Sequence, residues 1–547
     1  MLRSYSNILL SVRRVTQVNK GKNTPGVDKM VVKTPSARGQ LTDQLSTFTP
    51  WQAKPARRVY IPKSNGKQRP LGIPVVIDRC LQAMVKNALE PEWEAKFEGS
   101  SYGFRPGRSC HDAIERIFKF ACANKRKKWV LDADIKGAFD NINQAFLLNM
   151  LGQFSSRELI KQWLKAGYVE AGHLHSTQTG TPQGGVISPL LLNIALHGME
   201  VALGVKYKKR QQGEAVISNR AVVRYADDFV VFCETQEDAL ICADILMKWL
   251  QERGLSLSAE KTRVAHLSEG FDFLGFNIRQ YKSANSRTGW KLFIKPSENS
   301  VKKLQEKLKA HWLSMLGKNV CAVVETLNPI IRGWANYFRI AVSSEMFSKL
   351  DKWMFIREVR FVKRSHPNKP RKWQESNYWG HLNLNRKDRW VFGDKETGAY
   401  LLKFRWFPIE RHVLVKGKSS PDDPSQREYW AKRKALPAKD LTPSYQKLAR
   451  KQGYVCPRCG ESLWNGEELH RHHVLPKTKG GKSTYANLSL VHVFCHQQIH
   501  SSKQAPASED PDWKDSRKSI LVKDQTHMVE KGLKRLTDEE WIKQWSK

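Results

Sequence analysis

The stretch 222–232 reads VVRYADDFVVF. Two runs of β-branched and aromatic residues flank Ala226-Asp227-Asp228, which is the pattern of two strands closing on a short turn. The arms are apolar enough to need burial, so two adjacent carboxylates are carried to the edge of a core. That is costly unless a cation compensates them. An isolated Asp-Asp is also found in ordinary exposed turns, so a second carboxylate source is needed before a site can be read.

That source is WVLDADIKGAFDNIN (129–143). Apolar residues lead into Asp132 and Asp134, which fall on one face of a strand, and helix-forming residues follow. Carboxylates on rigid elements are what a pair of divalent ions needs when it serves phosphoryl-type transfer.

Outward from these segments, RRVYIPKSNGKQRPLGIP (57–74) reads as a hairpin turning at Ser64-Asn65-Gly66. The pattern from Asp78 to Glu98 is helical. KSANSRTG (282–289) is a polar turn and reads as a boundary. Residues 301–375 hold 16 Lys/Arg against 6 Asp/Glu, with Trp312, Trp334, Trp353 and Trp373 interleaved. Basic helices carrying aromatics suit a surface that grips RNA or a heteroduplex. The stretch 416–446 is rich in Pro, Ser and Lys and reads as a linker.

The chain has 547 residues and a formal net charge of +39. It is long enough for several compact units, and the charge calls for a polyanionic partner, with nucleic acid ahead of an anionic membrane surface. No apolar run approaches the length that spans a bilayer. Nine cysteines without a disulfide-like framework imply a reducing compartment. The first residues, MLRSYSNILLSVRRVTQVNK, carry Arg and Ser and no acid. They read as a basic amphipathic helix in contact with RNA, in preference to a mitochondrial presequence.

Near the C-terminus, Cys456-Pro-Arg-Cys459 and His492-Val-Phe-Cys495 give two ligand pairs of equal spacing. Three thiolates and one imidazole close a tetrahedral structural zinc site. Between and beyond them lie LHRHHVLPKTKGG (469–481), Asn487 and CHQQIH (495–500). His496 and His500 share a helical face. Adjacent His472 and His473 point oppositely on a strand, which allows them different tasks.

Tyr225-Ala226-Asp227-Asp228 resembles the YxDD box of reverse transcriptases. RRVYIPKSNGKQRPLGIP and SYGFRPGRSCHDAI resemble the fingers blocks, DADIKGAFD the first palm motif, and TPQGGVISPLLLNIALH the second. GLSLSAEKT with GFDFLGF resembles the last, and PIIRGWANYFR (329–339) the thumb or maturase domain of group II intron-encoded proteins. The 469–500 region resembles the HNH endonuclease ββα-metal motif.

The resemblance implies an α+β right-hand polymerase with an α-helical thumb and a C-terminal zinc-containing HNH module. The implied division is 1–56, a truncated N-terminal extension and the start of the fingers; 57–290, fingers and palm; 291–410, thumb or maturase domain. It continues with 411–450, a linker and DNA-binding region; 451–503, the HNH module; and 504–547, a polar tail. The N-terminus is expected to lack helical sequence that the family usually carries.

By the same resemblance, Asp134, Asp227 and Asp228 hold two Mg²⁺ ions and Phe139 is the steric gate against a ribose 2′-hydroxyl. Gln183 approaches the incoming nucleotide, Lys63 and Arg69 hold its triphosphate, and Lys261 is a candidate acid for pyrophosphate departure. In the nicking module, His472, His496 and His500 hold one Mg²⁺-like ion, His473 is the general base and Asn487 orients it. Cys456, Cys459, His492 and Cys495 bind structural zinc.

The implied partners are group II intron RNA, target DNA, dNTPs and an RNA template/DNA primer heteroduplex, with no membrane. The implied location is the bacterial cytoplasm, with an organelle as the alternative. The expected function is RNA-directed DNA synthesis primed from a nick, together with assistance to splicing. Rival readings are a splicing factor with a vestigial polymerase and a homing endonuclease with a fossil one. The retained aspartates argue against the first. Lys63, Arg69, Phe139 and Gln183 argue against the second.

Overall fold

The computed structural model describes residues 1–547 apart from 63–65, 67, 211–212, 385, 436–442, 465–466 and 502–547. Two compact units divide between Asp422 and Asp423.

The centre of the first unit is an antiparallel four-stranded sheet. In spatial order its strands are Arg263–His266, Trp129–Asp134, Asp228–Cys233 and Ala221–Tyr225. Alternate residues face opposite cores. Leu131, Val222 and Val231 pack with Ala239, Cys242 and Leu246 of the helix Gln236–Gln251. Val130, Val223, Val230 and Phe232 pack with Ala113, Ile114 and Ile117 of the helix Cys110–Ala121. Burial on both faces is why the strands read as unbroken apolar runs instead of alternating ones.

The 57–74 hairpin is present. Ala56–Pro62 pairs antiparallel with Gln68–Ile73 and parallel with Tyr168–Glu170. Of its expected turn, Ser64 and Asn65, and with them the candidate Lys63, lie outside the described residues. The helix Tyr5–Arg13 buries Ile8 and Val12 in a core shared with Val76, Cys80, Ala83 and Met84 of the helix Val76–Lys96. The expected amphipathic helix is present, with its apolar face in a packed core.

A third sheet joins Phe271–Phe273, Phe276–Lys282 and Trp290–Pro296. KSANSRTG is the turn between its last two strands, so the boundary expected there is not one, and the expected 290/291 division cuts a strand. The sheet packs under the helices Glu298–Ser314, Val320–Phe338 and Ser344–Ser365, whose Leu308, Leu327, Phe347 and Leu350 complete the larger core.

The expected linker is also corrected at its start. Residues 411–420 form a strap laid across the N-terminus of the helix Cys110–Ala121. Asp112 Oδ1 accepts from the Val415 N–H at 2.9 Å and lies 2.9 Å from His412 Nε2. Arg108 donates to the carbonyls of Gly417 at 2.8 Å and Ser419 at 3.1 Å. Arg108 is itself anchored on Glu94, which also receives Arg105 at 2.6 Å in a fully buried set. Composition suggested a solvated tether here, but buried donors and acceptors fix the backbone.

In the second unit, Leu469–His473 and Leu488–His492 form an antiparallel ribbon followed by the helix Val493–Ser501. Leu448, Leu463, Leu490 and Val491 make its core with Cys456 and Cys495. Gln452 closes one edge of the ribbon, accepting from the Leu490 N–H at 2.7 Å and donating to its carbonyl at 2.9 Å. Among the described residues, no helix is long and apolar enough to cross a membrane.

Candidate active sites

Register places the three candidate carboxylates. Asp134 stands opposite Asp228 across neighbouring strands, and Tyr225 opposite Asp228 leaves Ala226-Asp227 as the two-residue turn. Ala226 takes a left-handed backbone with φ 59°. The turn is held from behind. A Cβ at Gly103 would come within 2.3 Å of the Ala226 nitrogen, so only glycine allows this approach. Arg224 donates to the Ala226 carbonyl at 3.2 Å and to Asn193 Oδ1 at 3.0 Å, and Asn193 donates to the Gly103 carbonyl at 2.8 Å.

The three acids crowd one another. Burial, then Asp227 and Asp134, push the Asp228 carboxyl up to about 7. Burial and Asp134 raise Asp227 as well. A site whose carboxylates resist ionisation together is one that a cation would stabilise. Lys261 already pairs with Asp134. Asp132 turns away from this set to Arg263 at 3.4 Å.

Beside the acids, Gln183 is fixed from several directions. Its amide donates to Asp140 at 2.8 Å, its carbonyl oxygen accepts from Arg69 at 3.1 Å, and its backbone carbonyl accepts from the Gly72 N–H at 2.6 Å. The structure therefore brings Arg69 and Gln183 together. Phe139 is buried, on the short helix Ala138–Asn141 after Gly137. The exposed ring of Phe104 meets it edge-on at 6.2 Å. A cleft of about 390 Å³ opens past Gln183, walled in part by Arg58, Tyr60, Asp140 and Tyr168.

In the second unit, Cys456, Cys459, His492 and Cys495 gather their ligand atoms within 4.8 Å of one another, and so do His472, His496 and His500. His492 Nδ1 lies 3.4 Å from Cys459 Sγ, and its Nε2 donates to the Ser462 carbonyl at 3.1 Å. That second bond fixes the tautomer in which Nδ1 faces the thiols. The donor set fits structural zinc, and thiolates around His492 push its imidazole up to about 10. His473 stays out of the three-histidine group and meets Ser483 Oγ at 3.0 Å. Asn487 does not bond His473. It accepts from the Leu475 N–H at 2.7 Å and donates to the Lys482 carbonyl at 2.9 Å, which fastens the loop bearing Ser483.

A family model for reverse transcriptase (RNA-dependent DNA polymerase) matches residues 61–278, and one for the N-terminal domain of reverse transcriptase matches 1–45. The group II intron maturase-specific domain matches 301–379, and HNH endonuclease matches 456–502. Protein YkfC of Escherichia coli (strain K12) is 36% identical over 312 residues, covering 50% of this chain and 81% of that protein. Group II intron-encoded protein LtrA of Lactococcus lactis subsp. cremoris is 30% identical over 391 residues, covering 57% of this chain and 64% of LtrA. The chain belongs to the group II intron-encoded reverse transcriptase/maturases.

This reverse transcriptase/maturase is an RNA-directed DNA polymerase with an HNH endonuclease domain, the equipment of intron splicing and mobility. Sequence reasoning missed some residues of its sites. Phe104 packs on Phe139, and Asn193 and Arg224 support the turn, from within blocks that the sequence did single out. Their residue types gave no sign of function, because a buried Arg is revealed only by its partners. Asp140 and Ser483 were equally silent, as a polar residue in a short helix and one in a polar loop.

Proposed function

We propose that the chain copies RNA into DNA at the acid cluster, with its intron RNA, a DNA target, dNTPs and a template–primer heteroduplex as partners. The observation that carries this is the register that sets Asp134 opposite Asp228 with Asp227 at the turn between. These three acids are proposed to hold the two magnesium ions. When bound, such ions lower the barrier to 3′-hydroxyl attack and offset charge on the departing pyrophosphate. The chain's own groups supply the rest. Gln183, fixed by Asp140 and Arg69, positions the nucleotide and its template partner. Arg69 holds triphosphate, joined by Lys63. Phe139, backed by Phe104, meets the sugar. Lys261 gives its ammonium proton to the leaving group; pairing with Asp134 raises its pKa and holds that proton, and a cation that takes over Asp134 would ease its release. The cleft past Gln183 receives the template strand.

In the second unit, His473 takes a proton from water and Ser483 fixes its ring. His472, His496 and His500 are proposed to hold the divalent ion. Magnesium prefers oxygen ligands, so a set of imidazole nitrogens suits manganese, nickel or zinc at least as well. The second-strand nick made there provides the primer end. The chemistry is that of a reducing compartment such as the bacterial cytoplasm.

The test is Asp228→Ala in a primer-extension assay on an RNA template, with RNA binding measured on the same preparation. Extension is expected to vanish while RNA affinity changes less than threefold, because Asp228 belongs to a strand of the central sheet and not to the basic helices. Retained extension would overturn the assignment.

A further inference from the structure

The maturase domain holds a cleft that the polymerase does not use. Its volume is about 280 Å³, and the helix Ser344–Ser365 contributes Lys352, Phe355 and Glu358 to its wall. Trp390, Lys403 and Arg405 close the other side.

Each group has a feature that calls for a ligand. Glu358 is only 7% exposed. One of its carboxyl oxygens accepts from Trp379 Nε1 at 3.0 Å, and the other has no hydrogen-bond partner among the described residues. That open oxygen is reachable from the cleft, where a ligand's donor can bond it. Above it, Trp390 and Phe355 leave 48% and 42% of their surfaces to solvent, which is unusual for large aromatics beside a core. At the rim, Lys403 and Arg405 share Asp388, at 3.1 and 2.7 Å. Arg405 also lies 3.9 Å from Asp351, so these two cations are held in place by two acids, and the surplus positive charge comes from Lys352, which has no acid partner among the described residues. The other acid in the wall, Asp351, is already occupied by the N–H groups of Phe404 and Arg405 at 2.7 and 3.1 Å.

The occupant must therefore be flat, offer a hydrogen-bond donor at its inner edge and carry negative charge at its outer end. A basic peptide side chain would satisfy Glu358 but be repelled by the rim. A paired base cannot present its edge. An unpaired nucleotide meets all the conditions, since its base stacks on aromatics and its phosphate stays at the mouth. Among bases, guanine presents adjacent ring N–H and amino donors to a carboxylate, whereas adenine places a ring acceptor there. We propose that this cleft binds an unpaired guanine of single-stranded RNA, stacked at Trp390 and Phe355, with its donor edge on Glu358 and its phosphate at Lys352, Lys403 and Arg405. The inference rests on the reading of the chain as an intron-RNA-binding maturase and adds a base-specific contact to it.

The experiment uses the full chain and short unstructured RNAs of adenine and cytosine, with or without a single guanine or inosine, and their DNA counterparts. The wild type is expected to bind the guanine RNA at least fivefold tighter than the guanine-free RNA. Glu358→Gln should erase that preference while keeping the guanine-free affinity. Trp390→Ala should weaken guanine RNA about five- to hundredfold, the usual worth of one stacked base. Equal preference in wild type and Glu358→Gln, or none in the wild type, overturns the proposal. Equal preference for the guanine DNA overturns its RNA part. If the wild type binds none of the RNAs, the maturase reading fails first. Glu358→Gln keeps the side chain's shape, so a folding failure in Trp390→Ala does not remove the test.

Discussion

Phe139 and Glu358 show how much a single side chain can decide. Phe139 is buried, so its ring is held and cannot swing aside for a ribonucleotide. Phe139→Ala is expected to raise ribonucleotide use about ten- to hundredfold, the discrimination that shape alone usually supplies. Phe104→Ala should give a smaller rise, since it removes only the ring that backs the gate. Steady-state incorporation of dNTP against NTP measures both, and unchanged ratios would place the gate elsewhere. For Glu358, burial pushes the carboxyl up to about 7, above the ordinary 4.5, although Trp379 works in the opposite direction. The folded state thus holds the proton more tightly than the unfolded chain. Stability from this group is full below pH 4.5 and is lost as pH rises toward 7, by about 3 kcal/mol at most. Glu358→Gln should flatten that loss. Thermal midpoints at pH 5 and pH 8 are expected to fall further apart for the wild type than for the variant, and parallel shifts would contradict the assignment.

Elements behave less as the sequence suggests. The palm strands and the 57–74 hairpin were legible, because β-branched runs around 222–232 and 129–134 leave few alternatives. That Asp134, Asp227 and Asp228 come together was legible for the same reason, since register follows once those strands pair. The strap at 411–420 was not. Pro, Ser and Lys nearby signal a linker, while what fixes this backbone is Arg108 and Asp112, some three hundred positions away. No local pattern encodes such a contact. The bond network around Gln183 was hidden in the same way, its partners coming from two other blocks, 57–74 and 129–143. The strap allows a direct check. Asp112→Ala strips acceptors from the Val415 N–H and His412, and orphaned buried donors typically cost about 1–3 kcal/mol. Limited proteolysis should then cut within 411–422 at a rate raised at least fivefold, with the palm resistant. Uniform resistance would mean that other contacts hold the strap.

At the scale of the whole molecule, the division after Asp422 separates two chemistries, each with its own core. Of the four proposed zinc ligands, Cys456 and Cys495 lie in the core with Leu448, Leu463 and Leu490, so zinc bound there should hold the second unit's fold. His473 belongs neither to that ligand group nor to the three-histidine group. Removing it should therefore spare folding and metal content. Losing a general base costs about two to four orders of magnitude in rate. His473→Ala is expected to stop second-strand nicking of a DNA duplex and to leave extension of an annealed primer within twofold of the wild type. Cys456→Ser should behave differently, losing the zinc of the four-ligand site and nicking together, because a structural site lends its binding energy to the fold. Elemental analysis, nicking and primer extension on the same preparations distinguish the cases. If His473→Ala also loses zinc, its role is structural. If it keeps both zinc and nicking, another group near Ser483 serves as the base. If extension falls with nicking in both variants, the polymerase depends on the second unit and the two chemistries are not separable.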